Sequence, residues 1–399
     1  MRKYILNKKE ELFVAYLIIG FLISSSIPSL IGMKGFSLNI IYRGSVLLLS
    51  ILFIFLSLNK RISFKGLGLL VFFFSIYFIR LFHDLLLSNT KLYEGQTASE
   101  YLQLGIGVII IPTISILFLD FKKFDFNFTF KILYNVLFVL LFLTLFLRLG
   151  TDISGRSRGD LDIGILLFGQ YGTTLSILSF YMLVVKKINF RWFVYLVGFI
   201  IGFITIYISA SRSPFLALLI CMLLFIIVRY GGVKSVLLIT VFGLALYLSF
   251  FQIMGIIGEY FQSSFLIRLE LALEEGNSGR ENFLQQGLDE FIDNPFFGNS
   301  FLIQNGDHAG SYPHNLVIEA FMATGFFGGI IFFIWVLKNI LVSKIVIAKR
   351  LEFDWVALIF YQFLIFAMFS GSLYSSNLFW YSSAILVTSY VRILNNKNE

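Results

Sequence analysis

The chain has 399 residues, of which 58% are hydrophobic and 14% are charged, and its mean hydropathy is +0.87. These values exclude an ordinary soluble globular protein and are typical of a membrane protein with many spans. The net charge of +8 does not indicate a nucleic-acid partner, because the basic residues follow the loops between apolar segments. Cys221 is the single cysteine, which excludes an intrachain disulfide and a cysteine metal cluster, and we expect it in the core.

Apolar segments long enough to cross a bilayer as helices recur along the whole chain. They predict an all-α fold, a polytopic integral membrane protein with about 12 transmembrane helices. The basic N-terminal segment leads directly into a full-length apolar span, so we expect no cleavable signal peptide. The predicted spans are residues 12–30, 39–58, 66–87, 101–119, 132–149, 163–185, 192–209, 214–228, 235–254, 316–337, 353–373 and 377–394.

The distribution of Lys and Arg predicts the orientation of the chain. Most of the 31 basic residues fall in one set of alternating loops, and we expect that set to be cytoplasmic and to include both termini. Residues 1–254 would then form the first nine spans, and residues 314–399 the last three. Residues 255–313 would form one large periplasmic loop.

Two short amphipathic helices are predicted within this loop, lying on the outer membrane surface. The first carries Phe265, Leu269 and Ala272 at helical spacing, and Gly276 can end it. The second starts at a capping box formed by Ser278 and Glu281 and should end before Pro295. Its apolar face comprises Leu284, Leu288, Phe291 and Ile292.

Arginine predominates over lysine among the basic residues outside the cytoplasmic set. The guanidinium group is a permanently charged fork that binds phosphate or carboxylate through two hydrogen bonds, which lysine cannot do. Any one of these arginines has an alternative explanation, as an ion-pair partner of an acid or as a residue at a helix end. Their shared excess favours an anionic ligand at the outer face. They are Arg43, Arg80, Arg148, Arg156, Arg158, Arg212, Arg268 and Arg280.

His314 is the candidate general base. It follows Pro313, a residue favoured at the first helical position, so we expect His314 in the first turn of the tenth span. The positive end of the helix dipole would lower the pKa of the imidazole and keep it neutral. Glu319 lies five residues later, where an ionisable group inside a membrane indicates function. The structural alternative is that His314 caps the helix and Glu319 pairs with an arginine.

Arg212 and Arg280 are the candidate anion-binding residues. Ser213 can cap the eighth span with Pro214 at its first position, which places Arg212 beside a helix N-terminus. Arg280 stands in the same relation to the helix that starts at Ser278. Two arginines beside helix N-termini on one side of the membrane predict a phosphate or pyrophosphate clamp.

Weaker candidates remain open between binding and structure. Arg156 and Arg158, and Arg80 with its neighbours His83 and Asp84, would form a second anion site or simple ion pairs. An Asp-x-Asp sequence at residues 160–162 is of the kind that holds a metal in some glycosyltransferases, but its loop is otherwise basic. We therefore predict no metal.

Residues 209–333 resemble the shared region of O-antigen polymerases and O-antigen ligases. The similarity lies in SASRSP at residues 209–214, NPFFGNSF at residues 294–301 and YPHNLVIEAFMATGFFGGIIFF at residues 312–333. The large outer loop, late in a chain of many spans, also fits these relatives. Their elements are Asn-Pro leading to Gly, His-Asn leading to Glu, and two glycines in the following helix.

The resemblance implies transfer of a glycan from undecaprenyl pyrophosphate to a sugar hydroxyl, at the outer face of the bacterial inner membrane. Arg212 and Arg280 would hold the pyrophosphate, and His314 would accept the proton of the hydroxyl. Asn315 and Glu319, from the His-Asn-to-Glu element, would bind substrate together with Arg80, Arg156 and Arg158. The reaction would invert the anomeric centre and need no metal or cofactor. The expected partners are lipid-linked oligosaccharides, the bilayer, a chain-length regulator and a flippase.

Three functions remain open at this point. Polymerisation of lipid-linked repeat units into O-antigen or capsule is the first. A ligase that transfers O-antigen to lipid A-core is the second, and ligase relatives often have a second histidine near the first. Here His308 lies six residues before His314 in a different setting, which favours the polymerase. A transporter of lipid-linked sugars, the third, should have acids near mid-bilayer, whereas Asp84 and Glu319 lie toward the outer ends of their spans.

Overall fold

The computed structural model describes residues 8–30, 38–57, 66–88, 90–148, 165–185, 190–237, 239–240, 243–244 and 280–394. Within these residues the chain is helical and contains no strand, as predicted. The helices are α1 (Lys9–Leu30), α2 (Asn39–Ser57), α3 (Gly68–Phe82), α4 (Ala98–Leu102), α5 (Ile111–Ile116), α6 (Phe126–Arg148), α7 (Ile165–Val185), α8 (Phe190–Ile208), α9 (Arg212–Tyr230), α10 (Arg280–Asp293), α11 (Leu316–Ala348), α12 (Asp354–Ser370) and α13 (Asn377–Leu394). A π-helical turn, His83–Leu87, extends α3, and the π-helix Gln103–Ile110 joins α4 to α5.

Eight helical segments in the described part of the chain are long and apolar enough to cross a membrane. Two shorter apolar helices, Trp192–Ile208 and Asp354–Ser370, accompany them. The protein is therefore a polytopic helical membrane protein. The predicted twelfth span has the bounds of α13, which is not one of these segments. Most of the predicted ninth span lies outside the described residues. The number of spans, the periplasmic loop and the orientation stay predictions.

The described residues fall into two compact units. The first draws on Met1–Tyr42, Asp125–Gly276 and Lys344–Gln362, and the second on Arg43–Phe124, Asn277–Ser343 and Phe363–Glu399. Each unit is built from segments distant in sequence. The folded chain can therefore place residues from several helices in one site.

In the first unit, α7 and α8 approach closely because small residues line their contact. A Cβ atom on Gly172 would lie 2.8 Å from the carbonyl oxygen of Gly202, and one on Gly202 would lie 2.6 Å from that of Gly172. Close backbone approach through small residues is the usual way helices associate in a membrane. The predicted core position of Cys221 is confirmed, since its side chain is buried.

Aromatic packing forms the core of the second unit. The ring of Trp380 lies 4.7 Å from Phe74, 5.7 Å from Phe73 and 5.7 Å from Phe332. These rings join α3, α11 and α13, and offset aromatic pairs add stabilisation beyond their buried area. Near the far end of α13, Arg392 donates to the carbonyl oxygens of Leu117 and Leu119, which follow α5. The helices that carry the candidate site are therefore packed together.

Candidate functional site

Helix α11 is broken at Gly325, and this break receives the loop that follows α10. Gly325 has φ 65° and ψ −166°, inside a helix that the sequence predicts to be continuous. The amide of Phe326 donates to the carbonyl oxygen of Pro295 at 2.7 Å, and the amide of Asn299 donates to that of Met322 at 2.9 Å. These bonds replace helical hydrogen bonds that the break removes. The Asn-Pro element and the next helix thus form one structural unit.

Two glycines make this contact possible. A Cβ atom on Gly325 would lie 2.2 Å from the carbonyl oxygen of Phe296, and one on Gly298 would lie 2.5 Å from the backbone of Ala323. Both residues also have positive φ, which a side chain disfavours. Steric contact with the backbone therefore explains why both of these motif positions are occupied by glycine.

Glu290 of α10 anchors the rest of this loop. Its buried carboxylate accepts hydrogen bonds from the amide of Gln304 at 2.9 Å and from the amide of Asn305 at 2.8 Å. The side-chain amides of Asn299 and Asn305 donate to it as well. We call residues 294–305 the anchored loop.

Arg80 and Asp84 hold the anchored loop from α3 and its π-helical end. The Arg80 guanidinium donates to the carbonyl oxygens of Phe297, Gly298 and Asn299 at 2.6, 3.0 and 2.8 Å, and to Asp84 at 3.3 Å. Asp84 is buried and accepts the amide of Phe301 at 3.0 Å. The structure therefore shows the ion-pair alternative for Arg80, with most of its donors used by the loop. A role for Arg80 in substrate binding stays a prediction.

His314 does not lie in the first turn of a helix, so that prediction is wrong. Helix α11 begins at Leu316, and the side-chain oxygen of Asn315 accepts the amides of Val317 at 3.0 Å and Ile318 at 3.2 Å. Asparagine is among the best N-cap residues and replaces histidine in that role. His314 precedes the cap with a positive φ of 58°. Asn315 is thus a structural cap, and its amide nitrogen also donates to Met368 at 3.2 Å.

The imidazole of His314 is surrounded by aromatic rings. The ring centre of Tyr312 lies 4.3 Å away and that of Phe283 lies 5.0 Å away, at 77° to the imidazole. His308 stacks on Phe283 at 3.7 Å, and Tyr374 lies 5.9 Å from Tyr312. We call Phe283, His308, Tyr312, His314 and Tyr374 the His314 cluster. It joins α10 to the loops that precede α11 and α13.

The pKa of His314 is lowered to about 4. Burial contributes most, followed by the positive charges of Arg280 and His308, because each disfavours the imidazolium. The sequence predicts the direction of this shift correctly but assigns it to a helix dipole. The Nδ1 atom of His314 is buried and has no hydrogen-bond partner among the described residues. The imidazole is neutral at neutral pH.

Among the predicted anion-binding residues that the structure describes, Arg280 is the one whose charge acts on His314. It is the first described residue of α10, and its charge lowers the pKa of His314 and opposes the raised pKa of Tyr312. The predicted end of α10 before Pro295 is confirmed. Of its predicted apolar face, Ile292 is 66% exposed, whereas the ring of Phe291 lies 5.3 Å from that of Phe321. The position of α10 on a membrane surface stays a prediction. Ser278 and the predicted helix over residues 265–272 lie outside the described residues.

Glu319 is fully buried in the first turn of α11. Both carboxylate oxygens lie 3.0 Å from the amide of Leu373, in the loop between α12 and α13. Among the described residues no ion pair joins it to an arginine, so the expected pairing alternative is not observed. Through Leu373, Glu319 holds the neighbouring Tyr374 in the His314 cluster. Direct substrate binding by Glu319 stays a prediction.

Arg212 lies in the first unit, as the first residue of α9. The predicted cap at Ser213 is wrong, since Ser211 is the N-cap and Pro214 is the third helical residue. Ala210 turns the chain with φ 47°, so the helix starts earlier. Proline is tolerated here because amides in the first turn have no partner inside the helix. Arg212 keeps its predicted position beside a helix N-terminus, where an anion is favoured.

The other predicted positions lie outside the described residues. These are Arg156 and Arg158, and Asp160 with Asp162, so their roles stay predictions. In the described part of the chain no group of three His, Cys, Asp or Glu residues could hold a metal. The sequence does not single out Phe283, Tyr312 or Tyr374, since apolar and aromatic residues are abundant throughout. The short spacing of His308, Tyr312 and His314 around Gly310 was the available signal.

Residues 197–333 match a protein-family model described as O-antigen ligase. The match spans α9, α10, the anchored loop and the first half of α11, and it includes Arg212, Arg280 and His314. Neither a curated protein nor a solved structure matches the chain. The resemblance drawn from the motifs is thereby confirmed. Residues 197–333 are therefore similar to the O-antigen ligase family, and this match supports a function of the O-antigen polymerase or ligase type.

Proposed function

We propose that this protein transfers a glycan from a lipid pyrophosphate to a sugar hydroxyl, and that it thereby polymerises lipid-linked repeat units. The observation that supports this best is the arrangement of His314. It is a neutral imidazole among aromatic rings, under the influence of a nearby arginine charge, in the region that matches the family. A positioned neutral imidazole is a general base, and aromatic rings are suited to pack against sugars.

The chemistry is a single displacement at the anomeric carbon. The acceptor hydroxyl gives its proton to His314 while its oxygen forms the new bond to that carbon. The bond from the carbon to the pyrophosphate oxygen breaks, and its electron pair leaves with the pyrophosphate. Arg280 stabilises the departing negative charge. Because the two oxygens act on opposite faces, the configuration inverts, and the step involves no metal.

Donor binding would also strengthen the base. Without the donor, His314 has a pKa of about 4 and is a weak proton acceptor at neutral pH. A pyrophosphate bound beside Arg280 would offset the positive charge that lowers this pKa. The pKa of His314 would then rise when the donor is in place. The base would gain strength only in the complex that reacts.

Arg212 is proposed to bind a phosphate group of a lipid-linked substrate. Its position at the first residue of α9 supports this role, because the free amides there favour an anion. Lysine should not replace it, since lysine keeps the charge but not the fork. An Arg212→Lys variant should remain in the membrane at normal amounts while long glycan chains disappear. Normal chain formation by this variant would reduce Arg212 to a surface charge.

A ligase is the second candidate, and one observation favours it. His308 stacks on the same Phe283 ring that contacts His314, so the second histidine lies in the cluster. The sequence places His308 in a different setting from His314. This contact removes the reason for preferring a polymerase on the histidine spacing. Polymerase and ligase share the donor chemistry and differ in the acceptor.

The test uses purified protein in lipid nanodiscs with a lipid pyrophosphate-linked repeat unit. We expect a ladder of polymer from the wild type and a loss of about 10²–10⁴-fold in the transfer rate from His314→Ala. The variant should retain the wild-type melting temperature, because the half-buried ring fills no core position. Products confined to an added lipid A-core acceptor would support the ligase instead. A full ladder from His314→Ala would exclude His314 as the base.

A further inference from the structure

An apolar pocket of about 460 Å³ lies in the second unit, beside the anchored loop. Its volume falls within the range of about 300–1,000 Å³ that is usual for ligand sites. The pocket is partly open. Its apolar walls are formed by Ile76, Ile79, Phe296, Phe297 and Phe327. The side chain of Phe297 is 78% exposed, so its ring is accessible to an apolar molecule.

Arg80 and His83 supply the charged and titratable lining of this pocket. Both terminal nitrogens of Arg80 donate to the anchored loop or to Asp84, which leaves His83 as the more accessible polar group for a ligand. The side chain of His83 is 54% exposed, and its Nδ1 lies 3.1 Å from the buried carboxylate of Asp84. A carboxylate at Nδ1 orients an imidazole and leaves Nε2 for a ligand. The pocket therefore suits an amphiphile with a hydrocarbon chain and a polar end.

The polar end of the pocket is connected to the His314 cluster through Asp84. Asp84 contacts His83 with one oxygen and accepts the amide of Phe301 with the other. Phe301 packs 5.8 Å from Tyr374, which belongs to the cluster. His83 and His314 are thus linked through Asp84, Phe301 and Tyr374 and do not contact each other directly. A molecule that used both would need an extended polar portion between its lipid and its reacting group.

We propose that this pocket holds the hydrocarbon chain of the lipid-linked acceptor, with His83 bound to its phosphate-bearing end. The proposal rests on the proposed polymerase function. In that reaction the donor presents its pyrophosphate at the base, because the bond to it breaks there. The acceptor presents the opposite end of its repeat unit, so its lipid must lie one oligosaccharide away from His314. The pocket has the apolar walls, the polar end and the connection to the cluster that this lipid requires.

The test separates the two substrates. The donor analogue has its acceptor hydroxyl blocked, and the acceptor analogue is joined to its lipid through a phosphonate that cannot leave. Ile79 lines the pocket and its side chain is 66% exposed. The larger ring of Ile79→Trp should therefore fill the pocket without disturbing the fold. Leu87→Trp is the matched control, since Leu87 is 72% exposed at the end of the same helical segment and does not line the pocket.

We expect Ile79→Trp to raise KM for a long-chain acceptor about tenfold or more, a loss of the size expected when apolar contacts are removed. The KM of the donor, kcat and the KM of a short-chain acceptor should equal those of Leu87→Trp. His83→Phe should raise the KM for the long-chain acceptor less than Ile79→Trp does. It should leave unchanged the KM for an acceptor carried on a neutral polyprenol. A higher KM of Ile79→Trp for the donor, or an unchanged KM for the long-chain acceptor, would overturn the proposed acceptor site. Polymerisation by the wild type would still support the proposed function in that case. Absence of wild-type polymerisation would refute the function itself.

A binding measurement gives a second readout. A polyprenyl phosphate with a photoreactive chain should label the peptide that contains Phe296 and Phe297 in the wild type and in Leu87→Trp. Ile79→Trp should lose this labelling. Equal competition by bulk phospholipid would show ordinary bilayer contact and would overturn the proposal.

Discussion

The anchored loop and the His314 cluster are neighbours in the second unit, but they differ in whether their polar groups are hydrogen-bonded. In the anchored loop the carboxylates of Glu290 and Asp84 each accept several hydrogen bonds, and Arg80 binds three carbonyl oxygens. In the His314 cluster a buried nitrogen has no partner among the described residues, and a nearby arginine opposes protonation. Satisfied groups stabilise a fold, whereas a costly arrangement is retained where chemistry requires it.

This comparison predicts that substitutions in the two regions separate stability from activity. Changes in the anchored loop should lower the melting temperature, and activity should fall only as folded protein is lost. Changes in the cluster should alter the rate or its pH dependence in protein that remains folded. Each variant is therefore measured for melting in detergent and for transfer by the folded fraction.

Gly325→Ala should have the largest effect on stability. Its Cβ atom would meet the carbonyl oxygen of Phe296 at 2.2 Å, and its φ of 65° adds strain of about 1–3 kcal/mol for a residue with a side chain. The clash involves backbone, so no side chain can move aside. Gly68→Ala is the control, because a Cβ there meets nothing within 4 Å. Equal melting temperatures for the two variants would contradict the broken helix.

Glu290→Ala should be the next most damaging. It leaves the amides of Gln304 and Asn305 without their acceptor, and an unsatisfied buried group costs about 1–3 kcal/mol. Glu290→Gln should lose less, because its remaining oxygen can still accept. Asp289→Ala, on the exposed side of α10, is the matched control. If Glu290→Ala has the same melting temperature as Asp289→Ala, this carboxylate does not anchor the loop.

The sequence predicts helices better than it predicts the geometry of the site. Periodicity and hydropathy locate α1 and α2 within a few residues, since apolar length alone decides a membrane helix. The break at Gly325 is missed because its cause is a loop from elsewhere in the chain. His314 is identified by its motif, whereas its environment depends on Phe283 and Tyr312, which only the folded chain brings together. Local signals therefore find the residues, and tertiary contacts decide what they do.

Arg280 should affect the pH dependence of transfer. The acidic limb of kcat/KM reports the pKa of the free base, so the wild type should lose activity as the pH falls through about 4. Arg280→Gln removes a positive charge that disfavours the imidazolium. The pKa of His314 should rise toward 6.5, and the limb should move to higher pH. Arg280→Lys keeps the charge, so its limb should remain near that of the wild type while its rate falls. An unmoved limb in Arg280→Gln would separate Arg280 from the base.

His308→Asn should produce the smallest change, in the same direction. Its charge also lowers the pKa of His314, but it contributes less than burial and Arg280. Its removal should therefore shift the acidic limb upward less than Arg280→Gln does. The stacked contact with Phe283 is lost as well, and His308→Phe restores a ring there without a charge. We therefore expect both variants to show the same limb, with the rate of His308→Phe closer to that of the wild type. A limb that moves in His308→Asn and returns in His308→Phe would show that the stacked ring, and not the charge, controls His314.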